Sequence, residues 1–333
     1  MKKVVFFEIK GWEKKYIRRR LKGFKVDFFA APLGEDNVEF CQTADIVSVF
    51  IYSRLSAKVL SKLKKLKFIA TRSTGFDHID IKEAKKRKIL VANVPFYGEN
   101  TVAEHTFALI LSLSRNVHKS YLRTLRSDFS IEGLRGFDLK GRTIGVVGAG
   151  HIGMHVIRIA KGFGMEVLAY DLYKNTFLEE VLGFQYTSLE EILKKSDIIS
   201  LHLPYNQHTH YIINKKNINL IKRGAIIINT SRGCLIETEA LIEALDRGIL
   251  SGAGLDVLEG EELIKEEKQL LYDRKKLEVW GDLVKSHILL SKDNVVFTPH
   301  IAFYSQEALE RILDTTVDNI VAFSRTQPQN LVF

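Results

Sequence analysis

Short runs of β-branched and other apolar residues recur along the chain, and each is followed by a turn and by a segment in which apolar positions have helical spacing. In the first hundred residues, strands are predicted at 4–7, 45–50, 68–71 and 90–93. Strands that alternate with amphipathic helices are typical of parallel sheets whose faces those helices cover. The N-terminal part of the chain is therefore predicted to form a small α/β domain.

The same alternation continues beyond residue 100 on a larger scale. A helix is predicted over 99–117, and because its apolar residues extend around most of its circumference, we expect it to be buried. Further strands are predicted at 143–147, 167–170, 198–201, 225–228, 253–255 and 295–297. Ser188 and Glu191 have the spacing of a helix capping box. This part of the chain is predicted to form a doubly wound parallel sheet.

The end of the chain has a helical pattern again, from Ser305 onward. We expect this helix to return to the first domain and to make that domain discontinuous. At 333 residues the chain is also longer than one hydrophobic core usually serves. The predicted fold class is α/β with two parallel-sheet lobes and a cleft between them. One lobe is expected to comprise residues 1–99 and 304–333, and the other residues 100–303.

The charge pattern argues against a nucleic-acid-binding protein. The formal net charge is +9, but the basic residues lie in short runs such as 62–67 and 82–88, with apolar residues at helical spacing between them. That pattern is typical of solvated helix faces. We therefore expect no nucleic-acid partner, although excess positive charge would favour the capture of anionic small molecules.

Targeting and redox signals indicate the cytoplasm. Glu8 interrupts the N-terminal apolar run, and no apolar stretch reaches the roughly 20 residues of a membrane span, so we expect neither a signal peptide nor a membrane partner. Cys41 and Cys234 are the only cysteines in the sequence, which is too few for a disulfide framework or a cysteine-based metal cluster. The prediction is a cytoplasmic protein with reduced thiols and no metal.

Three glycines form a phosphate-binding pattern in the second domain. Gly148, Gly150 and Gly153 follow the predicted strand 143–147 and open a helix, where backbone amides bind pyrophosphate. Asp171 ends the next strand, so its carboxylate can accept hydrogen bonds from the adenosine ribose and repel a 2′-phosphate. The pattern predicts a dinucleotide site that favours NAD over NADP.

Other polar residues follow the remaining strands of the second domain. His202, the segment 230–233, Asp256 and the segment 298–300 each come directly after a predicted strand. Because ligands bind at the carboxyl ends of the strands in open α/β sheets, we expect these residues to face one site together with Asp171.

The residue types at these strand ends indicate a reaction. Hydride transfer to a carbonyl needs a group that gives or takes the proton on oxygen, and His300 suits that role. A carboxylate would stabilise its imidazolium, and the segment 259–262 offers three glutamates, with Glu261 the candidate, although the residues alone do not select among them. Arg232 has the planar fork for bidentate capture of a substrate carboxylate. Together they predict a 2-keto acid reductase.

With these motifs, the chain resembles the D-2-hydroxyacid dehydrogenase family, and within it the D-lactate dehydrogenase subgroup, over essentially its whole length. The matching segments have the family's order and spacing. They are Thr-Gly-Phe-Asp-His-Ile-Asp at 74–80, Asn-Val-Pro-Phe-Tyr at 93–97, Val-Ala-Glu-His at 102–105, the turn at 148–153, His-Leu-Pro at 202–204, Asn-Thr-Ser-Arg-Gly at 229–233, 254–261 and Thr-Pro-His at 298–300.

The resemblance implies a fold and roles for residues in most of these segments. It implies two Rossmann-like lobes, one flavodoxin-like for the substrate and one that binds NAD, and a homodimer through the larger lobe. It selects Glu261 as the partner of His300 and assigns the substrate carboxylate to Arg232. The implied cofactor contacts are Gly148, Gly150, His151, Ile152, Gly153, Asp171, Leu203, Pro204, Thr209, Thr230, Ser231, Arg232 and Asp256. The implied substrate contacts are Thr74, Gly75, Tyr97, Arg232 and His300.

Two departures from the family pattern bear on the substrate. Many relatives have another pair of residues where this chain has Ser73 and Thr74, and the lysine- and glutamate-rich segment 262–293 resembles the longer loop of the lactate-type subgroup. We therefore expect reversible reduction of a short 2-keto acid, pyruvate first, to the D-hydroxy acid. Phe303 and Tyr304 either wall the substrate pocket or belong to the core.

Two other functions stay open at this point. One is a reductase of the same family for glyoxylate, hydroxypyruvate or another 2-keto acid. The other is an NAD-sensing binding protein of the corepressor type, which the joint presence of Arg232, Glu261 and His300 disfavours.

Overall fold

The structure, a computed structural model, describes residues 1–260, 284–285 and 287–333. The chain divides into two compact units, each with its own parallel sheet and its own hydrophobic cores. The first unit comprises Met1–Tyr97 and Ser305–Phe333, and the second comprises Gly98–Tyr304. No helix in the described part of the chain combines the length and hydrophobicity of a membrane span.

The first unit contains a five-stranded parallel sheet in the order β2-β1-β3-β4-β5. Its strands are β1 (Lys3–Phe6), β2 (Lys25–Phe28), β3 (Ile46–Val49), β4 (Phe68–Thr71) and β5 (Leu90–Ala92). Strands β3 and β4 are buried at every position, as expected where helices cover both faces of a parallel sheet. This strand order is that of flavodoxin-like sheets.

Helices from both ends of the chain cover the first sheet. They are α1 (Gly11–Arg20), α2 (Ala57–Lys62), α3 (Ile81–Lys86) and the last helix, α10 (Gln306–Ser324). Ser56 and Asp80 cap α2 and α3 by accepting hydrogen bonds from backbone amides of the first turns. Helix α10 packs on β4, and its Phe323 stacks on Phe68 with 4.4 Å between the ring centroids. The first unit is thus assembled from two distant parts of the sequence.

The second unit contains a seven-stranded parallel sheet in the order β12-β11-β10-β9-β6-β7-β8. Its strands are β6 (Thr143–Val147), β7 (Glu166–Tyr170), β8 (Gln185–Tyr186), β9 (Ile198–Leu201), β10 (Ala225–Asn229), β11 (Leu250–Leu255) and β12 (Val295–Phe297). Counted from β6, this is the dinucleotide-binding order 3-2-1-4-5-6 with one more strand at the edge. The order reverses between β6 and β9, which is where such sheets bind ligands.

Helices cover both faces of the second sheet as well. They are α4 (Glu99–Ser114), α5 (Val117–Leu125), α6 (His151–Gly162), α7 (Thr176–Leu182), α8 (Leu189–Lys195) and α9 (Thr238–Asp246). Helix α4 packs on α6 and on β10 to β12. A Cβ at Gly254 of β11 would lie 3.0 Å from the Leu109 Cβ, so this glycine lets α4 approach the sheet closely.

Three details differ from the sequence predictions. The helix predicted over 99–117 ends at Ser114, because Asn116 has a left-handed backbone with φ of 50° and a new helix begins at Val117. Its circumference is not wholly buried, since Glu104 and Ala108 are exposed one turn apart. Ser188 does cap α8, but the Glu191 carboxylate pairs with a lysine one turn further on instead of completing a capping box.

Candidate functional site

The glycine turn lies between β6 and α6, where the strand order of the second sheet reverses. A Cβ at Gly153 would stand 2.0 Å from the carbonyl oxygen of Gly148, so the first turn of α6 packs directly against the strand end. Gly148 has φ of +102°, and its Cβ would lie 2.7 Å from the carbonyl group of His202. Only glycine fits these two positions.

Gly150 differs from the other two glycines of the turn. Its φ is −75°, and no atom of the described residues lies within 4 Å of the place where its Cβ would stand. The turn therefore borders open space beside the first backbone N–H groups of α6, which no carbonyl of the helix itself can accept. His151 and Ile152 follow directly on this side. This cradle fits the pyrophosphate of a dinucleotide.

Asp171 is joined to the glycine turn by hydrogen bonds. Its Oδ2 accepts from the backbone N–H of Ala149 at 2.8 Å, and its Oδ1 accepts from the N–H of Tyr173 at 2.9 Å. Both carboxylate oxygens keep further lone pairs that can accept from hydroxyl groups. The carboxylate is thus held at the end of β7 in an orientation that suits an adenosine ribose.

The segment after β9 lies against the same turn. The His202 N–H donates to the carbonyl oxygen of Val147, and its Nε2 lies 2.8 Å from the Ser200 hydroxyl. Burial lowers the pKa of His202 to about 3, so the ring is neutral. Its buried Nδ1 has no hydrogen-bond partner among the residues that the structure describes.

The Leu203–Pro204 segment continues from His202 and is closed by Thr209. The Thr209 hydroxyl donates to the carbonyl oxygen of Pro204 at 2.7 Å and accepts from the backbone N–H of Asn206 at 2.8 Å. These bonds fix the backbone of the loop within the second unit.

The loop after β10 is shaped by its own side chains. Asn229, the last residue of β10, donates from Nδ2 to the carbonyl oxygen of Arg232 at 2.9 Å and accepts the N–H of Ser231 at 3.0 Å. The Ser231 hydroxyl donates to the carbonyl oxygen of Leu201 at 2.8 Å, and Thr230 lies 3.1 Å from the hydroxyl of Thr106 on α4. The backbone from which the Arg232 side chain extends is therefore rigid.

Arg232 itself is half-buried, and its Nη1 donates to the carbonyl oxygen of Ser231 at 2.9 Å. A Cβ at the next residue, Gly233, would stand 2.1 Å from the carbonyl carbon of Leu258. This close approach packs the loop after β10 on the segment that follows β11.

Asp256 is the most buried acid of the site, with no exposed surface. Burial opposes ionisation, but His105, the Thr298 hydroxyl at 2.5 Å and the N–H groups of Ala302 at 2.8 Å and Ile301 at 2.9 Å together hold the pKa of Asp256 below its ordinary value. The carboxylate is therefore ionised and organises the chain that follows β12.

His300 lies within that organised segment. Its N–H donates to the carbonyl oxygens of Asp256 and Thr298, both at 2.9 Å, and its φ of 56° is unusual for a residue with a side chain. The ring meets Phe303 edge-on at 6.4 Å between centroids. Phe303 is buried, whereas Tyr304 is 48% exposed, so only Phe303 belongs to the core.

Glu261 lies outside the described residues, but Glu259 is described. Its two carboxylate oxygens accept from the hydroxyls of Tyr211 and Thr238, the latter at 2.9 Å. Burial and the Glu259 carboxylate raise the pKa of Tyr211. Glu259, one of the three glutamates between 259 and 262, thus anchors its own segment through these two hydrogen bonds. Sequence patterns gave no signal for Tyr211 or Thr238.

The predicted substrate contacts of the first unit follow β4 and β5. The Thr74 hydroxyl donates to the carbonyl oxygen of Val94 at 2.7 Å, and the Ser73 hydroxyl donates to that of Gly75 at 2.6 Å. The carbonyl oxygen of Tyr97 accepts from Nε of Arg311 at 2.6 Å. Each of these residues is fixed within the first unit.

A buried arginine that the sequence reasoning missed precedes this loop. Arg72 is 2% exposed, and it donates to the carbonyl oxygens of Phe7 and Glu8 and to the Ser48 hydroxyl, at 2.7 to 3.1 Å. Burial lowers the pKa of Arg72. Its three hydrogen bonds tie the end of β4 to β1 and β3 and so stabilise the start of the Ser73–Gly75 loop.

Comparison with protein families identifies the second unit. The family model for the NAD-binding domain of D-isomer specific 2-hydroxyacid dehydrogenases matches residues 107–302. The match spans β6 to β12, and therefore the glycine turn, the loop after β10 and His300. Among the described residues, no group of three or more histidine, cysteine or acidic side chains could hold a metal ion.

Whole-length relatives give the same result. A 2-hydroxyacid dehydrogenase homologue of Haemophilus influenzae is 41% identical over 96% of this chain and 95% of its own length. The D-lactate dehydrogenase of Escherichia coli is 37% identical over 99% of this chain and 100% of its own length. The structure of Aquifex aeolicus D-lactate dehydrogenase complexed with NAD and lactic acid is similar, with a TM-score of 0.87, 40% identity and coverage of 97% of this chain and 96% of that one.

Proposed function

The chain belongs to the D-isomer specific 2-hydroxyacid dehydrogenases and is an NAD-dependent enzyme, and we propose that it reduces pyruvate reversibly to D-lactate. One observation carries the proposal furthest. Within the second unit, a glycine turn joined to the Asp171 carboxylate lies at the same carboxyl edge of the sheet as the hydrogen-bonded arginine loop and a histidine held in an unusual backbone conformation. Similarity to a D-lactate dehydrogenase complexed with NAD and lactic acid supports the choice of substrate.

When bound, NAD supplies or accepts the hydride. We propose that it is held by the backbone of the glycine turn, with Asp171 on the adenosine ribose. The remaining cofactor contacts are proposed to be His151, Ile152, Leu203, Pro204, Thr209, Thr230, Ser231, Arg232 and Asp256. The two backbone amides that orient the Asp171 carboxylate, from Ala149 and Tyr173, leave lone pairs for a ribose diol, which supports this assignment.

Arg232 is proposed to bind the carboxylate of the 2-keto acid. Its guanidinium can form two parallel hydrogen bonds to a carboxylate and polarise the neighbouring carbonyl. The hydrogen bonds that join the Asn229 side chain to the backbone of Ser231 and Arg232 hold the Arg232 backbone in place. This supports a role in which the guanidinium orients the substrate. We propose that residues 1–99 and 304–333 form the substrate domain and contribute the amides of Thr74 and Gly75 and the side chain of Tyr97.

His300 is proposed to act as the acid and base. In reduction its imidazolium donates a proton to the carbonyl oxygen, and in oxidation the neutral ring accepts the proton from the hydroxyl group. Glu261 is proposed to stabilise the imidazolium. Because the carboxylate of Glu259 already accepts from Tyr211 and Thr238, Glu261 is the better choice between these two.

We also propose a homodimer formed through the second unit. Helix α5 buries none of its residues, and Tyr121, Leu122 and Leu125 expose more than half of their surface. Phe129 and Ile131, a few residues further on, are 78% and 85% exposed. Five large apolar side chains exposed within eleven residues of sequence support an interface here. Sedimentation of the native chain should give a dimer, and Leu125→Glu should give a monomer.

The catalytic proposal is tested by steady-state turnover of a 2-keto acid panel with NADH. Pyruvate, glyoxylate, hydroxypyruvate and a branched 2-keto acid should all be compared, because one methylene changes discrimination by only about 1 to 3 kcal/mol. We expect the highest kcat/KM for pyruvate and a D product in chiral analysis. An L product, or no turnover with any member of the panel, would refute the proposal.

A further inference from the structure

His105 on α4 is not explained by cofactor or substrate binding, although it belongs to the Val-Ala-Glu-His segment at 102–105. Its Nε2 lies 2.9 Å from the Thr298 hydroxyl oxygen and 3.5 Å from Oδ1 of Asp256. Its side chain is 18% exposed, and that of Asp256 is fully buried. The contact joins α4 to the segment that carries His300.

The direction of each hydrogen bond follows from the number of protons available. The ionised Asp256 carboxylate has no proton to give, so the Thr298 hydroxyl must donate its single proton across the 2.5 Å contact. The same oxygen can then only accept from His105. The ring nitrogen Nε2 of His105 is therefore the protonated one, and a directed chain runs from His105 through Thr298 to Asp256.

Asp256 continues this chain into the backbone of His300 and of the two residues that follow it. Its carboxylate accepts from the N–H groups of Ile301 and Ala302, and its carbonyl oxygen accepts from the N–H of His300 itself. The left-handed conformation of His300 is unfavourable for a residue with a side chain, and these hydrogen bonds offset its cost. The direction in which the imidazole leaves the backbone thus depends on how the Asp256 carboxylate is oriented.

We propose that His105 is a positioning residue for the reaction, which acts by donating a hydrogen bond to Thr298 and thereby fixing the Asp256 carboxylate and the backbone of His300. It touches neither the cofactor nor the substrate in this role. The inference rests on the function of His300 proposed above. The residues that support the reaction then include one on α4, a helix that packs on the face of the sheet.

The test compares His105→Leu with His105→Gln in the full-length enzyme. Leucine removes the donor, whereas the side-chain amide of glutamine can donate at a similar reach. We expect His105→Leu to lower kcat about tenfold, the effect of roughly one lost hydrogen bond to a buried polar partner, with the pyruvate KM and the NADH Kd within twofold of wild type. His105→Gln should restore kcat to within about threefold. Glu104→Gln, at the exposed neighbouring position, is the matched control.

Two outcomes would overturn the proposal: a kcat for His105→Leu within twofold of wild type, or an equal loss in His105→Gln. If His105→Leu fails to fold, Thr298→Val removes the same link and decides in its place, since an unchanged kcat would again refute the role. A wild-type enzyme that turns over no 2-keto acid would instead refute the proposed function, so the two failures are distinguishable.

Discussion

The glycine turn after β6 and the segments that carry Arg232 and His300 lie at one sheet edge but are built in opposite ways. Missing side chains shape the turn, because a Cβ at Gly148 or Gly153 would stand 2.7 or 2.0 Å from backbone atoms. Side-chain hydrogen bonds shape the other segments, through Asn229 and Asp256. The proposed cofactor site is a backbone surface, whereas the proposed reacting groups are held by polar side chains.

This difference sets how each region tolerates change. A site formed by closely packed backbone atoms is disrupted when a side-chain atom is added to it, whatever the chemistry of that atom. A hydrogen-bonded segment tolerates an isosteric replacement that keeps the donor or acceptor, and fails when the polar group is lost. Substitutions can therefore distinguish weaker cofactor binding from slower catalysis.

The largest effect is expected from His300→Ala. Removing the proposed acid and base should lower kcat by about 10³-fold, within the usual range for general acid–base catalysis, because alanine can neither donate nor accept the proton. The NADH Kd, measured by fluorescence titration, should stay within about threefold, since the turn is built separately. His287→Ala, at an exposed histidine, is the control. A large loss of NADH affinity in His300→Ala would contradict the idea that cofactor binding and proton transfer depend on separate regions.

The next largest effect is expected from alanine in the turn. Gly153→Ala should destabilise the enzyme by about 1 to 3 kcal/mol and weaken NADH binding, because its Cβ collides with the Gly148 carbonyl. Gly150→Ala is the matched partner, since its Cβ meets no described atom and its φ is ordinary. It should keep the thermal midpoint and still weaken NADH binding about tenfold. An unchanged NADH Kd in Gly150→Ala would show that the turn is not the pyrophosphate cradle.

A smaller effect is expected from Asp171→Ala. The variant loses the carboxylate that is oriented by Ala149 and Tyr173, so NADH binding should weaken about tenfold, equivalent to roughly 1.4 kcal/mol. Binding of NADPH should weaken less or improve, because the repulsion of its 2′-phosphate is removed. Parallel titrations with both cofactors measure the change in preference. If the ratio of the NADH and NADPH dissociation constants is unchanged, Asp171 does not recognise the ribose.

The smallest effect concerns His202 beside the turn. Its pKa is about 3 in the folded chain and 6.5 ordinarily, so the unfolded chain binds more protons between these values. Its contribution to stability is therefore complete above pH 6.5 and falls as the pH is lowered. Between pH 6.5 and 5.5 the loss should be about 1 kcal/mol.

Urea unfolding of the wild type and of His202→Asn at both pH values measures this contribution. The substitution should remove about 1 kcal/mol of the pH dependence. If both proteins lose stability equally, the buried neutral histidine is not its source.

The sequence predicted most of the second sheet because its central strands are buried on both faces. Short runs dominated by β-branched and other apolar residues, such as 198–201 and 225–228, leave few alternatives to a strand. Two strands were missed. In the first sheet it is β2, whose edge position accommodates Lys25 and Asp27, and in the second sheet it is β8, which has only two residues. The break after Ser114 was missed because it depends on the left-handed conformation of Asn116, which no periodicity encodes.

The candidate site was predictable to the extent that its residues follow strands. The glycine spacing and the strand ends identified the turn, Asp171, Arg232 and His300. Three supporting residues of neighbouring segments, Tyr211, Thr238 and Arg72, were not predictable, because they act through contacts between segments far apart in sequence. The roles of the predicted residues, and of Glu261, stay predictions.

The return of α10 to the first unit has a consequence for biosynthesis. Beyond the Phe68–Phe323 stack, Val332 donates its N–H to the carbonyl oxygen of Val91 in β5, so residues after α10 also contact the first sheet. A ribosome that synthesises from the N-terminus therefore finishes every residue of the Gly98–Tyr304 unit before it finishes the unit formed by Met1–Tyr97 and Ser305–Phe333. The apolar strands of the nascent N-terminal segment stay incompletely covered until Ser305–Phe333 has been synthesised.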